Sequence, residues 1–575
     1  MRITHNLRML RGLFLLALAC AVQAQSPDAS DWGYYGGDAF GQRYSSLAEI
    51  DRHNVEKLAV AWQFRTGELG EGFESASTLG FAATPLVAFG LLYLSTPTDI
   101  VVALDPATGR QRWRYDPRVD RKRSYAEATS RGVSIWEDRD VKRTGPCRRR
   151  VFIGTLDGRL IALNAGTGTP CTDFGSGGVV GLGGEAVTSP PTLYDSLVIV
   201  GSRNGPVRAF DARTGASQWT FPAAGAANVE AVMSVDEDRG MVFVPTAGAD
   251  ANSLVALEAK TGKRLWQHPL LHRDLWGFGI AAQPALVDLE LNGTPIPAVL
   301  QATKSGMLFV FARHSGNPMF PIVEQRVPRS RQRTDRASPT QPFPVTPALV
   351  AQNPAEPLQA WGVTFWDRAK CRAKLKRYRN EGVYTPPDEQ GAILWPGDLG
   401  GVNWGGIAFD ARRQRVFAAV NHLPMLITLT AHGTSREGLL SPLGLPCTPP
   451  PWGTLVSVDM KKNEIVWQVP LGSTKGMGPW FAPARNFGTP NMGGPMVTAG
   501  DLVFVGAAMD SQFRAFDLET GRELWKYRLP AGGQATPMTY RAGQDHRQYV
   551  LIAAGGNGEL GTPRGDYVIA FALPR

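Results

Sequence analysis

One pattern of apolar and polar positions recurs along this chain. It appears in "ALDPATGRQRW" (103–113), "AFDARTGASQW" (209–219), "ALEAKTGKRLW" (256–266), "SVDMKKNEIVW" (457–467) and "AFDLETGRELW" (515–525). In each, an apolar stretch ends in Asp or Glu, and a Trp stands eight positions after that acid. Four of the five place Thr-Gly between them, and "ALNAGTGTPCTDF" (162–174) and "VFARHSGNPMFP" (310–321) are degenerate copies. Alternating apolar residues before the acid predict a half-buried strand. The acid caps backbone N–H groups of a tight turn, and Gly accepts positive φ there. The Trp on the returning strand is placed to pack between neighbouring sheets. One hairpin of this kind cannot bury its own face, whereas a ring of four-stranded sheets can.

Seven such units are countable. An unpaired strand remains at each end, "LAVAWQFRTG" (58–67) and "DYVIAFALP" (566–574), and pairing them completes an eighth unit. The expectation is an all-β, eight-bladed β-propeller with tryptophan-docking repeats, closed by its N- and C-terminal strands. "SVDEDRGMVFVPT" (234–246) and "AFDARRQRVFAAV" (408–420) read as inner hairpins of two blades. Residues from about 322 to 400 break the period, are rich in Pro, Arg and Gln, and read as a long excursion over one end of the ring.

Composition agrees with a turn-rich globular chain: of 575 residues, 19% are charged, 64 are Gly and 43 are Pro. Arg2, Arg8 and Arg11 precede the short apolar run "GLFLLALACAV", and Val22-Gln23-Ala24 offers a cleavage site, so residues 1–24 read as an export leader. The expected mature protein is then a single propeller over 25–575, periplasmic, with no transmembrane segment beyond the leader; Cys20 offers a minor route to lipid attachment. Loss of the leader lowers the net charge from +9 to +6. The clusters "RVDRKR" and "KRTGPCRRR" come with no aromatic-plus-basic module, so no nucleic-acid partner is expected. Four cysteines remain, allowing three pairings. Cys147–Cys171 and Cys371–Cys447 are favoured, because the first brackets one short β segment and the second the long excursion. Neither zinc-ligand spacing nor a CxxCH haem motif is present.

"HRDLWGFGIAAQP" (272–284) follows a repeat directly and reads as a loop presented to a pocket, with Asp274 as its one carboxylate. With "RGVSIWE", "TSPPTLYDSLVIVGS", "TKSGMLFVF", "PGDLGGVNWGGIAFD", "LPAGGQATPMTY" and "AAGGNGELGTPRGDYVIAFALP", it resembles the pyrroloquinoline quinone (PQQ) dehydrogenases. The resemblance is greatest to the propeller domain of the membrane-bound quinoprotein glucose dehydrogenases and runs from residue 31 to the C-terminus. It implies PQQ at the ring centre beside a divalent cation such as Ca²⁺. Arg131, Lys304, Asn403, Trp404 and Asp510 match cofactor-site positions, and Asn228 matches a metal ligand. A turn-capping role suits Asp510 and Asn228 equally, and Trp404 could pack between blades.

Other expected parts are missing. The family's proton-accepting Asp is Gly277 here, and a further carboxylate position is Gly279. The loop of the acidic metal ligand is cut to "RNGPVRAF", and the segment of the stacking Trp to "TAGADANSL". Glu127 and Asn557 stand for two His. Asp274, read as structural, and Glu127 are the remaining candidates for a base. The reading is an exported PQQ-dependent dehydrogenase for a sugar or alcohol, passing electrons to an external quinone or cytochrome. The alternative is a non-catalytic propeller of the same descent acting as a binding or scaffold module.

Overall fold

The structure, a computed structural model, describes residues 32–68, 79–140, 144–222, 229–248, 251–332, 335–350, 356–431, 433–475, 477 and 485–575. The leader, Cys20 and Asn228 lie outside these residues. Strands dominate and form an all-β propeller. Four-stranded antiparallel meanders span 86–115, 134–181, 192–221 and 234–272; a three-stranded sheet spans 285–312; four strands between 407 and 470 and four between 496 and 528 follow. In the last sheet the N-terminal strand Ala59–Arg65 pairs antiparallel with Tyr567–Ala572, from Ala59 opposite Ala572 to Arg65 opposite Tyr567, with a shift of register between Val60 and Trp62. The ends of the chain therefore share one sheet.

The repeated Trp joins one sheet to the next. Its indole N–H donates to a backbone carbonyl in the following sheet's turn: Trp62 to Pro106 (3.0 Å), Trp113 to Ala165 (3.0 Å), Trp219 to Ala259 (3.0 Å), Trp266 to Arg313 (3.2 Å) and Trp467 to Leu518 (3.1 Å). In every case the acceptor is the residue just after the turn's acid or its substitute. Trp525 reaches Leu58, at the start of the N-terminal strand (3.3 Å). The acid shapes the turn as its sequence predicts: Asp105 Oδ1 accepts from Ala107 N, Thr108 N and Thr108 Oγ1. The turn glycine has a second duty beyond its φ. A Cβ on Gly109, Gly168, Gly262, Gly316 or Gly521 would run into the ring of Trp62, Trp113, Trp219, Trp266 or Trp467. Where the sheet over 134–181 lacks the Trp, Val180 lies against Gly215 instead.

The first strands of successive sheets line the axis, and residues 32–45 cross them. Backbone bonds run from Val87 N to Trp32 O, Val235 N to Ala39 O, Leu286 N to Phe40 O, Phe409 N to Gln42 O and Val497 N to Arg43 O, all between 2.8 and 3.0 Å. One segment thus stitches five sheets together and plugs one end of the axis. Trp32 and Arg43 are fully buried there, and Arg43 donates to the Ile407 carbonyl (3.1 Å).

The excursion after residue 312 replaces the fourth strand of its sheet. It holds the hairpin Ile322–Arg326 with Thr340–Pro344, the helix α1 (Phe365–Arg377) and the strand Ala392–Leu394. That strand pairs with Met425–Thr430, and this in turn with Gly433–Gly438, from a second excursion between Arg415–Asn421 and Gly453–Asp459. The sequence pattern did not reveal this second excursion. Both disulfides form as expected, Cys147–Cys171 and Cys371–Cys447, and the latter ties α1 to the second excursion.

A paired substitution tests the Trp–Gly contact. Gly90 and Gly109 have the same left-handed φ (+74° and +68°), but Gly90 faces open space. Gly90→Ala should cost about 1 kcal/mol of strain. Gly109→Ala should cost roughly 1–3 kcal/mol more, because Trp62 must move. Equal denaturation midpoints for the two variants would refute this account.

Candidate functional site

A cavity of about 1690 Å³, counting its open mouth, lies among the loops at one end of the sheets. The loop before the second sheet supplies Glu127 and Arg131; Arg131 is fixed by backbone bonds to Thr84 and Thr188. Arg203 and Glu230 come from the loops around the third sheet, and Lys304 from the turn between Thr294–Ala302 and Leu308–Ala312. The "PGDLGGVNWGG" loop contributes Asp398, Asn403 and Trp404. Its glycines matter here: Gly400 (φ +76°) lies directly on the Lys304 stem, leaving no room for a Cβ. Arg436 reaches in from the second excursion and Glu559 from the loop before the last strand. An adjoining recess is walled by Asp274, Gly277, Gly279 and Lys304.

The structure therefore brings Arg131, Lys304, Asn403, Trp404 and Glu127 to one cavity, with Asp274 in the recess beside it. Trp404 is nearly buried, packs on Ala82, Met492 and Leu560, and has the Arg131 guanidinium 5.8 Å from its ring centre. Asn403 is spent on its own loop: its amide donates to Leu399 O (2.7 Å) and its oxygen accepts from Trp404 N (2.7 Å). Asp510 is not among the lining residues. Its buried carboxylate is paired with Arg514, accepts from Ser473 N (2.8 Å) and caps its own turn by accepting from Gln512 N (3.2 Å). Asp274 is a cap as well. One oxygen accepts from the N–H groups of Trp276, Gly277 and Phe278 (2.8–3.1 Å), and the other from Asn252 (3.0 Å).

Arg203, Glu230, Asp398, Arg436 and Glu559 are site residues that sequence reading missed. They arrange themselves by charge. Arg131 pairs with Glu127 (3.2 Å), Arg203 with Glu230 (2.7 Å), and Arg436 more loosely with Asp398 (3.7 Å). Lys304 and Glu559 remain without an ion pair among the described residues; the Lys304 ammonium donates to the Gly277 carbonyl (3.2 Å). Burial by itself would lower the pKa of Arg131, but Glu127, Tyr35 and Glu230 overcome it and raise the pKa. Glu559 is exposed, yet its carboxyl is pushed above the usual range, first by partial desolvation and then by Glu127 and Asp398, with Lys304 and Arg131 opposing.

These residues can be tested against the cofactor and ion that the sequence resemblance implies. An aromatic face flanked by a guanidinium, a cation without a carboxylate, and a buried Arg131 Nε with no acceptor all fit a planar polyanion such as PQQ. For a divalent ion the described residues offer no converged ligand set, and Asn228 lies outside them. The one group of three close His, Cys, Asp or Glu ligands among the described residues is Cys147, Cys171 and Asp173, whose sulfurs form a disulfide. Glu127 and Glu230, the acids nearest Arg131 and Arg203, are already neutralised. At Gly277 a Cβ would meet Arg436 Nη2 at 3.1 Å, so a guanidinium occupies the space in front of the residue where the family's acid is expected.

Comparison with known proteins agrees with this picture. The family model described as PQQ: glucose/ethanol/alcohol dehydrogenase, β-propeller domain, matches residues 32–438 and 430–550. The chain is 35% identical to quinoprotein glucose dehydrogenase A of Acinetobacter calcoaceticus, covering 95% of this chain and 79% of that protein. It is 34% identical to the quinate/shikimate dehydrogenase (quinone) of Acinetobacter baylyi, with the same coverage. The first alignment runs over 639 positions, more than the 575 residues present here, so the relative carries segments this chain lacks. Quinohemoprotein alcohol dehydrogenase from Comamonas testosteroni superposes with a TM-score of 0.68 over 96% of this chain and 81% of that one, at 23% identity, which speaks for the fold.

Glu559 makes anion binding pH-dependent in a stated direction. Protonation removes one negative charge from the cavity, and it occurs at higher pH than for an ordinary carboxyl. Naphthalene trisulfonate, whose own charge is constant with pH, should bind roughly threefold to tenfold tighter below this transition than above it. Glu559→Gln should hold the tighter affinity throughout. Calorimetric titration showing the same pH dependence in both proteins would exclude Glu559 as its source.

Proposed function

The chain belongs to the PQQ glucose/ethanol/alcohol dehydrogenase β-propeller family, and from that premise we propose that its cavity takes PQQ and that the protein oxidises the hydroxyl group of a sugar or alcohol. The observation that carries this reading is the convergence of Lys304, Arg131, Arg203 and Arg436 on the one cavity that Trp404 lines, with Arg131 over the Trp404 ring. We read the sheets as eight blades of a closed ring, with the tryptophan contacts and the shared terminal sheet as support. On this reading the domain is 25–575, exported to the periplasm, and electrons leave to an external quinone or cytochrome, because the sequence has no haem-attachment motif.

Each residue then has a physical task. Lys304 and Arg131 hold the cofactor's carboxylates or quinone oxygens by charge-assisted bonds, and Trp404 gives its plane a surface. When bound, the quinone is the two-electron acceptor for the substrate. The hydroxyl proton needs a carboxylate that is ionised and not already committed. Asp274 has both oxygens engaged with its own loop, and Glu127 is held by Arg131. Glu559, unpaired and with a raised pKa, is the cavity acid we assign to that proton.

A second reading is favoured by one observation, the Arg436 guanidinium lying against Gly277. It describes a propeller that retains a polyanion site without turnover, a binding or scaffold module. The protein purified after export, titrated with PQQ with and without Ca²⁺, separates the two. Turnover of glucose, short alcohols or quinate with a dye acceptor supports the enzyme; binding with no dye reduction supports the binding module; no binding rejects both as stated. Lys304→Ala and Arg131→Ala should each weaken PQQ about tenfold or more, the worth of a charge-assisted bond. Glu559→Gln should lower kcat by about two to four orders of magnitude with binding retained.

A further inference from the structure

Helix α1 carries a surface that the cavity does not explain. Its Thr364 N-cap accepts from Asp367 N (3.1 Å), and Lys374, Lys376 and Arg377 occupy the last turn, where positive charge suits the helix dipole. One narrow row faces the protein: Asp367, Cys371 and Leu375 are buried. Asp367 binds Val363 N and Leu443 N, and Cys371 is bridged to Cys447. At about 100° per residue, the face opposite holds Lys376, Ala369, Ala373 and Trp366, with Phe365 and Arg377 at its edges. On one flank lie Arg368 and Arg372, and on the other Lys370 and Lys374. All of these residues are exposed.

Two features separate this surface from an ordinary solvated helix. Phe365 is 92% exposed and Trp366 55%, and they are the only exposed Phe and Trp among the described residues; Leu358, in the short turn packed beside α1, is 82% exposed. Six basic side chains stand around them, and none has a carboxylate partner among the described residues. Lys374 donates to the Leu440 carbonyl (2.8 Å), and Arg377 lies over Tyr378. Exposed rings set among basic side chains on the outward face suit an anionic lipid surface, with the rings at the acyl boundary and the ammonium and guanidinium groups at the phosphates.

We propose that α1 is a docking helix for a membrane surface containing anionic lipid. The disulfide holds the helix fixed, so docking needs no unfolding and fixes the protein's orientation. The segment that Lys374 grips has its other side on the cavity, where Leu440 and Pro446 form part of the wall, so a docked protein keeps that rim close to the lipid. Charge selects the occupant: six unpaired cations match a dense array of phosphates, and two exposed rings match a hydrocarbon boundary.

The test uses the protein purified after export, with sedimentation against phosphatidylglycerol-containing and pure phosphatidylcholine vesicles. Binding should be at least about tenfold stronger to the anionic vesicles and should fall with added salt. Phe365→Ser with Trp366→Ser, and separately Arg368→Gln with Arg372→Gln and Lys376→Gln, should each weaken it about tenfold or more. These side chains are exposed, so the variants fold. As an independent reading in the unaltered protein, brominated lipid should quench a fluorescence component that Trp366→Phe removes. Equal binding to both vesicle types, wild-type binding by either multiple variant, or capture by polyglutamate beads without vesicle binding overturns the proposal. None of these outcomes depends on whether PQQ binds.

Discussion

An indole resting on a glycine, with its N–H on the neighbouring carbonyl, is the contact on which this molecule is built. Each sheet is largely apolar on both faces and has no independent core; its buried area exists only when another sheet lies against it. Tryptophan supplies the largest apolar side chain together with a donor that must be satisfied when buried. The carbonyl after the turn's acid satisfies that donor, and the missing Cβ of the turn glycine lets the ring approach. Acid, glycine and tryptophan therefore act as one device repeated around the axis, and the device fixes the spacing and angle between sheets. The cavity inherits its precision from this. Its charged residues sit on loops, and most of the strands beneath those loops cannot shift relative to the next sheet without opening a tryptophan contact.

The charge pattern of the cavity follows a different logic. Three arginines arrive with acids beside them, which lowers the cost of bringing them into a walled space. An incoming anion must then share or displace those acids, and affinity depends on how readily each pair opens. The Arg436–Asp398 pair, at 3.7 Å, is the loosest. Arg131 is the opposite case, its buried guanidinium kept charged by Glu127, Tyr35 and Glu230.

The division between what the sequence discloses and what it conceals has a physical basis. The repeat is legible because strand period, turn chemistry and tryptophan spacing are local, and both disulfides follow from which segments the cysteines bracket. The terminal pairing is legible because two apolar runs lacked partners. Asp274 and Asp510 show the other side: as residue types in a motif they suit a site equally well, and only coordinates reveal their oxygens taken by N–H groups and Arg514. Arg203, Arg436 and Glu559 have no local signature at all; they meet because the ring brings loops more than 100 residues apart to one point. Helix α1 was hidden for a related reason. Its basic residues surround every face but one, so its pattern lacks the usual apolar stripe of a packed helix, and its single buried row is held by a disulfide.

The plug formed by residues 32–45 and the strand Ala59–Arg65 impose an order of events. Both are among the first parts of the chain to be synthesised, yet their partners extend to Tyr567–Ala572, among the last. Contacts of this sequence separation form late and slowly. Until the sheet over 496–528 is made the crossing segment lacks its last partner, and until the final strand is made Ala59–Arg65 has an open edge. A chain built this way becomes a single object only when its tail arrives.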